Sequence, residues 1–292
     1  MKKQRVYAIV ALYKWQYVLA SMIVISVIAG GISSSHAQTI VGDSAGTQFV
    51  EGAQVRSRVT FEDEAPGSPI AVTSTFIWGP HPDFTTAFTL PWINKEPSGL
   101  GDVAIAGKYR FFRKDAKHQI TQWSLLGALK VPSGRDDAKS LSPPDQVGSG
   151  SWDVSIGTAY NHVENLQLFW NWSASYTFKT EGAQDYEFGD VISYNLVGAV
   201  RPYVPPYPPT LTRPDVWMVM EMNGSTALKD QQGGDRLGNT GGTVIFMSPG
   251  IQILPRPNLL FEMAVQLPVI DELNGDQEAP DYRLVMGVRV FF

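Results

Sequence analysis

Six charged residues fall on the polar side of segments that alternate between polar and apolar positions: Arg56, Lys108, Arg110, Glu221, Glu262 and Arg289. Strand periodicity turns such residues toward one shared interior, where low-dielectric walls focus the field of each charge on whatever passes. Arg56, Glu262 and Arg289 each lie about four residues from the same end of their segments, so they should meet at similar depth. Two roles are open to them. They can satisfy one another and pin a seam, because charges kept from bulk water need partners. With Lys108 and Arg110 they can instead form a basic ring that narrows a pore and favours anionic or polarizable aromatic solutes. Glu221, with Asp102 and Asp153, should lie nearer the other end. Phe169, Trp217, Phe246 and Phe291 point the same way as the charges and could stack an aromatic solute. Trp78, Trp92, Trp152, Tyr160 and Tyr176 sit near segment ends, as aromatic residues at a membrane interface do.

Other chemistries find little material. The chain has no cysteine, which removes disulfides, thiol nucleophiles and cysteine metal sites together. Beyond residue 37 the histidines are His81, His118 and His162, and no pair of them has metal-ligand spacing on one strand. Hydrolysis by a serine would need a histidine and an orienting polar group within hydrogen-bond reach, and Asn161-His162 beside a serine-bearing segment comes nearest. Gly233-Gly234 and Gly241-Gly242 follow no strand that opens a helix, so they read as loop rather than phosphate cradle.

The elements that must carry these residues are strands. In the row Leu166, Leu168, Trp170, Trp172, Ala174, Tyr176 and Phe178, apolar side chains alternate with Gln167, Asn171, Ser173, Ser175 and Thr177. A soluble face rarely needs so many aromatics in one row. The last segment, Pro280 to Phe292, sets Tyr282, Leu284, Met286, Val288, Val290 and Phe292 against Arg283, Gly287 and Arg289. Twelve such segments are expected, near 52–61, 70–78, 83–92, 99–112, 118–131, 151–163, 166–179, 188–201, 215–227, 243–254, 258–268 and 281–292. About ten residues per segment, tilted about 40°, cross an apolar band of roughly 25 Å. Short connections at Gly79–Pro82, Arg113–Lys117, Val163–Asn165 and Pro255–Pro257 alternate with long ones at Pro132–Gly150, Thr180–Glu187, Lys229–Gly242 and Val269–Pro280. That alternation is the one expected of barrels with short periplasmic turns and longer external loops. "PYVPPYPPTLTRP" (202–214) departs from it, being long where a short turn belongs; proline cannot donate to a ladder, so it is either an arm on that side or a sign that a hairpin is miscounted. The expected class is all-β: a transmembrane antiparallel up-and-down barrel of about 12 strands.

At the other end, Lys2, Lys3, Arg5 and Lys14 precede an apolar run from Tyr17 to Ile32 and then Ser33 to Ala37, the pattern of a cleavable signal peptide over 1–37. The barrel then spans 38–292. It carries 19 basic against 28 acidic residues, a formal charge of −9 that gives no support to a nucleic-acid partner. Ending an alternating strand on Phe292 resembles the C-terminal sorting signal of Gram-negative outer-membrane barrels; Tyr282, Val288, Val290 and Phe292 carry it. Barrel assembly machinery and outer-membrane lipid are therefore expected partners.

"GLGDVAIAGKYRFF" (99–112), "GALKVPSG" (127–134), "GSGSWDVSIGTAYNH" (148–162) and "SPGIQILPRPNLLFEMAVQLPV" (248–269) resemble the outer-membrane proteins named for the MetA (meta) pathway of phenol degradation. The resemblance implies a barrel in the outer membrane that passes small, often aromatic or hydrophobic, compounds by passive diffusion, with no cofactor and no catalytic site to carry over. A phospholipase-like hydrolase set in a barrel wall and a non-conducting structural barrel are the alternatives. Deleting Phe292 should reduce the protein recovered in the outer membrane while leaving the unfolding temperature of what does assemble unchanged. Normal accumulation of the truncated chain would overturn the sorting-signal assignment.

Overall fold

The computed structural model describes residues 38–48, 50–63, 70–95, 98–138, 141–165, 167–203 and 214–292. The leader expected over 1–37 lies outside them. Twelve long strands follow one another as β1 (Ala53–Glu62), β2 (Ile70–His81), β3 (Phe84–Asn94), β4 (Val103–Ala116), β5 (Gln119–Val131), β6 (Asp153–Glu164), β7 (Leu168–Phe178), β8 (Val191–Val200), β9 (Asp215–Ala227), β10 (Gly242–Arg256), β11 (Leu259–Leu273) and β12 (Arg283–Phe291). Each pairs antiparallel with its neighbours in sequence, and β12 pairs with β1, so the sheet closes. The closing register runs from Gln54 opposite Phe291 to Glu62 opposite Arg283, and the Phe292 amide donates to the Ala53 carbonyl at 2.8 Å. Closure matters because an open edge in hydrocarbon would leave a row of amides and carbonyls without partners.

The two faces separate as the alternation requires. On β7, Phe169, Asn171 and Ser173 are buried inside, while Trp170 and Phe178 are about half exposed on the lipid side. Trp123, Tyr160 and Trp172, from β5, β6 and β7, cluster on that outer surface, with ring centroids about 6 Å apart. Beside them β4 carries a bulge between Arg110 and Phe112, which lets Phe111 and Phe112 both face outward while Arg110 still faces in.

Two sequence expectations needed the structure to resolve. The segment expected as one strand from 99 to 112 is broken: Gly99–Leu100 pairs with Trp92 and Ile93 of β3, then the chain leaves the ladder at Asp102 before β4 begins. The proline-rich piece does not disturb the strand count. β8 and β9 pair directly, from Val191 opposite Ala227 to Val200 opposite Met218, and Arg201 clamps Asp215 at 2.5 Å at the base of the connection. Residues 204–213 themselves lie outside the described residues.

The external loops bind one another edge to edge. Asp102 accepts from the amides of Ser133, Gly134 and Ser149 and from the Ser149 hydroxyl, tying the β3–β4 connection to the loop after β5. Gly134 and Gly148 pass so close that a Cβ on Gly148 would lie 2.4 Å from the Gly134 carbonyl carbon, which is why neither carries a side chain. Ala183 of the next loop donates to the Ser149 carbonyl, Tyr186 reaches Asp230 at 2.5 Å, and Asn274 donates to the Thr240 carbonyl. Burial together with the Asp230 hydrogen bond raises the Tyr186 phenol above its usual range.

Burial alone would raise the Asp102 carboxyl, but the Ser149 hydroxyl, the Ser149 and Gly134 amides and the Lys130 charge reverse that and hold it below the usual aspartate range. A depressed carboxyl stabilises the fold fully above the unfolded-chain value of about 4, and that contribution is lost as pH falls through the lower folded value. The loop after β5 should therefore loosen once acidification carries the pH below the usual aspartate range, and D102N should loosen it at neutral pH. A nitroxide at the exposed Arg135 reads both changes in its electron paramagnetic resonance line shape.

Candidate functional site

The inner face of the barrel is not empty. Residues 38–48 precede β1 and run through the periplasmic half of the lumen as an irregular strap, held almost wholly through its backbone. The alternation carries no signal for this, because a segment without a period gives none. The nearest hint was the surplus of inward amides and hydroxyls, such as Gln252, Asn171 and Ser124, which need acceptors and donors that the wall itself does not supply.

Most wall contacts are polar side chains meeting strap peptides. Glu221 of β9, fully buried, takes the amides of Ile40 at 2.5 Å, Val41 at 3.0 Å and Gly42 at 3.2 Å. Asn171 donates to the Asp43 carbonyl, Ser124 to that of Ala45 and Lys108 to that of Gly46. The strap thus crosses from the β9–β12 side to β3 and β4, where the Gln48 amide meets Thr85 Oγ1 at 2.9 Å. Glu51, at φ 57°, then turns the chain into β1 beside Gly79.

At the β10–β12 end stands the charge cluster expected from the sequence. Glu262 is paired with Arg56 at 2.7 Å and with Arg289 at 2.6 Å, and its carboxylate side chain has no exposed surface. The same arginines reach past it: Arg56 donates to the Ile40 carbonyl and Arg289 to that of Thr39 and to the Gln38 side chain. Gly287 sits opposite because a Cβ there would lie 2.7 Å from a Glu262 carboxylate oxygen. Glu221, expected to stand apart from this group, is joined to it through Ile40, whose amide it binds and whose carbonyl Arg56 binds.

The four inward aromatics divide. Phe169, Trp217 and Phe291 pack with Ile40, Leu260 and Val285 in one apolar cluster around the strap, and Arg201 lies 5.5 Å from the Trp217 ring centre. Phe246 is buried elsewhere, under the Arg283 guanidinium at 4.6 Å. Lys108 and Arg110 do not join the Glu262 cluster. Lys108 faces the strap, and Arg110 binds Asp83 at 2.8 Å and the Pro82 carbonyl in the β2–β3 turn.

Between the strap and the opposite wall lies a cavity of about 890 Å³. Its wall from β2 to β6 has a run of small side chains, Thr75, Ala87, Thr89, Ala106, Ala128 and Ser155, beside larger ones such as Ile77, Gln122 and Leu126, and Lys108 projects into it. Small residues there and bulky ones around Trp217 give the lumen a packed side and a clear side.

The histidines stay apart from the lumen chemistry. His162 meets Thr121 Oγ1 at 2.9 Å on the outer face, whereas its neighbour Asn161 points inward, so the two cannot orient one another. His81 lies in the exposed β2–β3 turn, and His118, at φ 61°, makes the β4–β5 turn. Among the described residues no group of His, Asp and Glu could hold a metal ion.

A closed, lipid-faced barrel of this construction is an outer-membrane protein of the Gram-negative type. A family model described as "Putative MetA-pathway of phenol degradation" matches residues 29–269, and the chain belongs to that family. The fold is similar to that of the COG4313 outer membrane channel from Pseudomonas putida F1, with a TM-score of 0.63 and 12% identity over 87% of this chain and 100% of that one. It is also similar to the NanC porin, with a TM-score of 0.51 and 10% identity over 82% of this chain and 98% of that one. No curated protein matches the chain by sequence.

Removing one partner of a buried ion pair typically costs about 3–5 kcal/mol. Glu262→Gln, which leaves Arg56 and Arg289 facing each other, should accordingly lower the temperature at which the barrel loses its heat-modifiable mobility on a gel. An unchanged transition would mean that the cluster does not hold the closing strands.

Proposed function

We propose that this protein is a channel that lets small solutes, aromatic and hydrophobic compounds among them, cross the outer membrane by passive diffusion. The carrying observation is the cavity of about 890 Å³ between the strap and a wall in which alanines, threonines and serines form a continuous small-residue stretch. A barrel of eight strands is filled by its own side chains and one of sixteen holds an open water channel. Twelve strands leave intermediate room, and here part of it is taken by the strap. Small methyl and hydroxyl groups along the clear side offer a solute little friction and few strong binding points, as passage requires. Family membership supports aromatic solutes, and the likeness of fold to a channel and a porin is consistent with transport.

The lumen residues take distinct parts in this proposal. Arg56, Glu262 and Arg289, with Glu221, fix the strap and so set the width of the passage. Lys108 and Arg110 bias it toward anions, Lys108 more strongly because its ammonium meets a carbonyl rather than a carboxylate. Phe169, Trp217 and Phe291 bear on passage through the strap they pack against, and Phe246 lines the lumen beyond it. The orientation of His162 and Asn161 to opposite faces favours transport over a hydrolase set in the wall.

Single-channel recording in a planar bilayer tests the proposal. The wild-type protein should conduct in small steps, and a chain lacking 38–46 behind an intact leader should conduct severalfold more. Lys108→Ala should shift the reversal potential toward cation preference without lowering the unfolding temperature. A strap deletion that conducts no better than wild type would move the passage away from the strap, and no current from either protein would count against a channel.

A further inference from the structure

Arg58 lies on the inner face of β1, one inward position beyond Arg56 and so on the extracellular side of the strap's anchor. Its partners across the ladders are Thr73 on β2 and Gly287 on β12, neither of which carries charge. Around it stand the guanidiniums of Arg56 and Arg289 and two carboxylates, and both carboxylates are taken. Glu262 is held by Arg56 and Arg289. Glu221 is held by three strap amides and by Asn223. Arg58 Nε is buried and has no hydrogen-bond partner among the described residues. Arg283 Nε likewise makes no hydrogen bond, but Arg283 has a carboxylate of its own, Glu62, in an ion pair at 2.7 Å, whereas Arg58 has no ion pair among the described residues.

Three guanidiniums against two carboxylates leave an excess of one positive charge, and Arg58 is the one of the three without an ion pair among the described residues. Arg58 as a whole is half-buried, and a cation partly withdrawn from water with like charges beside it is costly unless an anion compensates it. A guanidinium presents its donors as a planar fork that matches the two oxygens of a carboxylate, and a surplus of one charge matches a monoanion rather than a phosphate dianion. We propose that Arg58 is the recognition group of a carboxylate-binding site in the lumen, and that small organic acids are a solute class of this barrel. The solute part rests on the channel reading; the site itself does not.

Benzoate and acetate serve as probes, benzyl alcohol as the uncharged counterpart of benzoate, and chloride as the control for ionic strength. Both carboxylates should raise the unfolding temperature of the wild-type protein in detergent and reduce its single-channel current in a saturable way, and benzyl alcohol should do neither. Arg58→Gln should raise the concentration for half effect by about tenfold or more, the scale of a lost charge-assisted pair, while Arg256→Gln, at the exposed end of β10, leaves it unchanged. Without any carboxylate present, Arg58→Gln should unfold at or above the wild-type temperature, since it removes an uncompensated charge; a residue with a structural partner would behave in the opposite way. A fall in unfolding temperature as large as that of Glu262→Gln would overturn the site, and equal effects of chloride and benzoate would overturn the carboxylate class. A wild-type current indifferent to carboxylates, with Arg58-dependent stabilisation intact, would keep the site and the channel and remove organic acids as a solute class. Carboxylate stabilisation that depends on Arg58 in a protein carrying no current would keep the site and remove the channel.

Discussion

Glu262 is where the parts of this barrel are fastened together. Its carboxylate, with no exposed surface, binds Arg56 of the first strand and Arg289 of the last, while it belongs to the strand next to the last. Those arginines continue to the carbonyls of Ile40 and Thr39, so one buried anion joins both sides of the closing seam to the strap inside. In a low-dielectric interior such a group is tolerated only when every lone pair and every proton around it is matched, and matching fixes geometry. The position of the strap, and with it the division of the lumen into a packed and a clear side, follows from that match.

How much of this was legible in the residues depends on whether the feature has a period. Strands do. The row Trp170, Trp172, Tyr176 and Phe178 against Asn171, Ser173 and Ser175 gives the two faces of β7 without a structure, and the same logic places Arg56, Glu262 and Arg289 on three neighbouring strands at one depth. The strap has no period, and its attachments use mostly its peptide groups, so residues 38–48 look like any polar lead-in to a first strand. The same reason hid the partners of Lys108, which is anchored on a backbone carbonyl. The break at Asp102 was hidden differently: Asp102 keeps its place in the alternation, and only its hydrogen bonds to the loop after β5 draw it out of the ladder.

The two ends of the barrel are built on different plans. The periplasmic turns at 82–83, 117–118 and 257–258 hold two residues each between paired strands. Outside, loops are joined through carboxylates that gather several donors at once, Asp102 and Asp230 chief among them. Short turns need only local geometry, whereas long loops on a membrane surface must satisfy their backbone groups on one another or on water. The strap sits toward the end with the short turns.

The separations along the chain within the Glu262 cluster bear on how the barrel comes into being. Arg56 and Glu262 are 206 residues apart, and Arg289 and Thr39 are 250 apart. Contacts so distant in sequence form late, because the loop entropy must be met before they return anything. Until β12 arrives, neither Arg56 nor the strap carbonyls have their full set of partners, so the strap's final seating and the closing of the cylinder belong to one cooperative event. A half-made barrel of this chain has an unseated strap, and the order of events in its birth places the filling of the lumen together with the sealing of the wall.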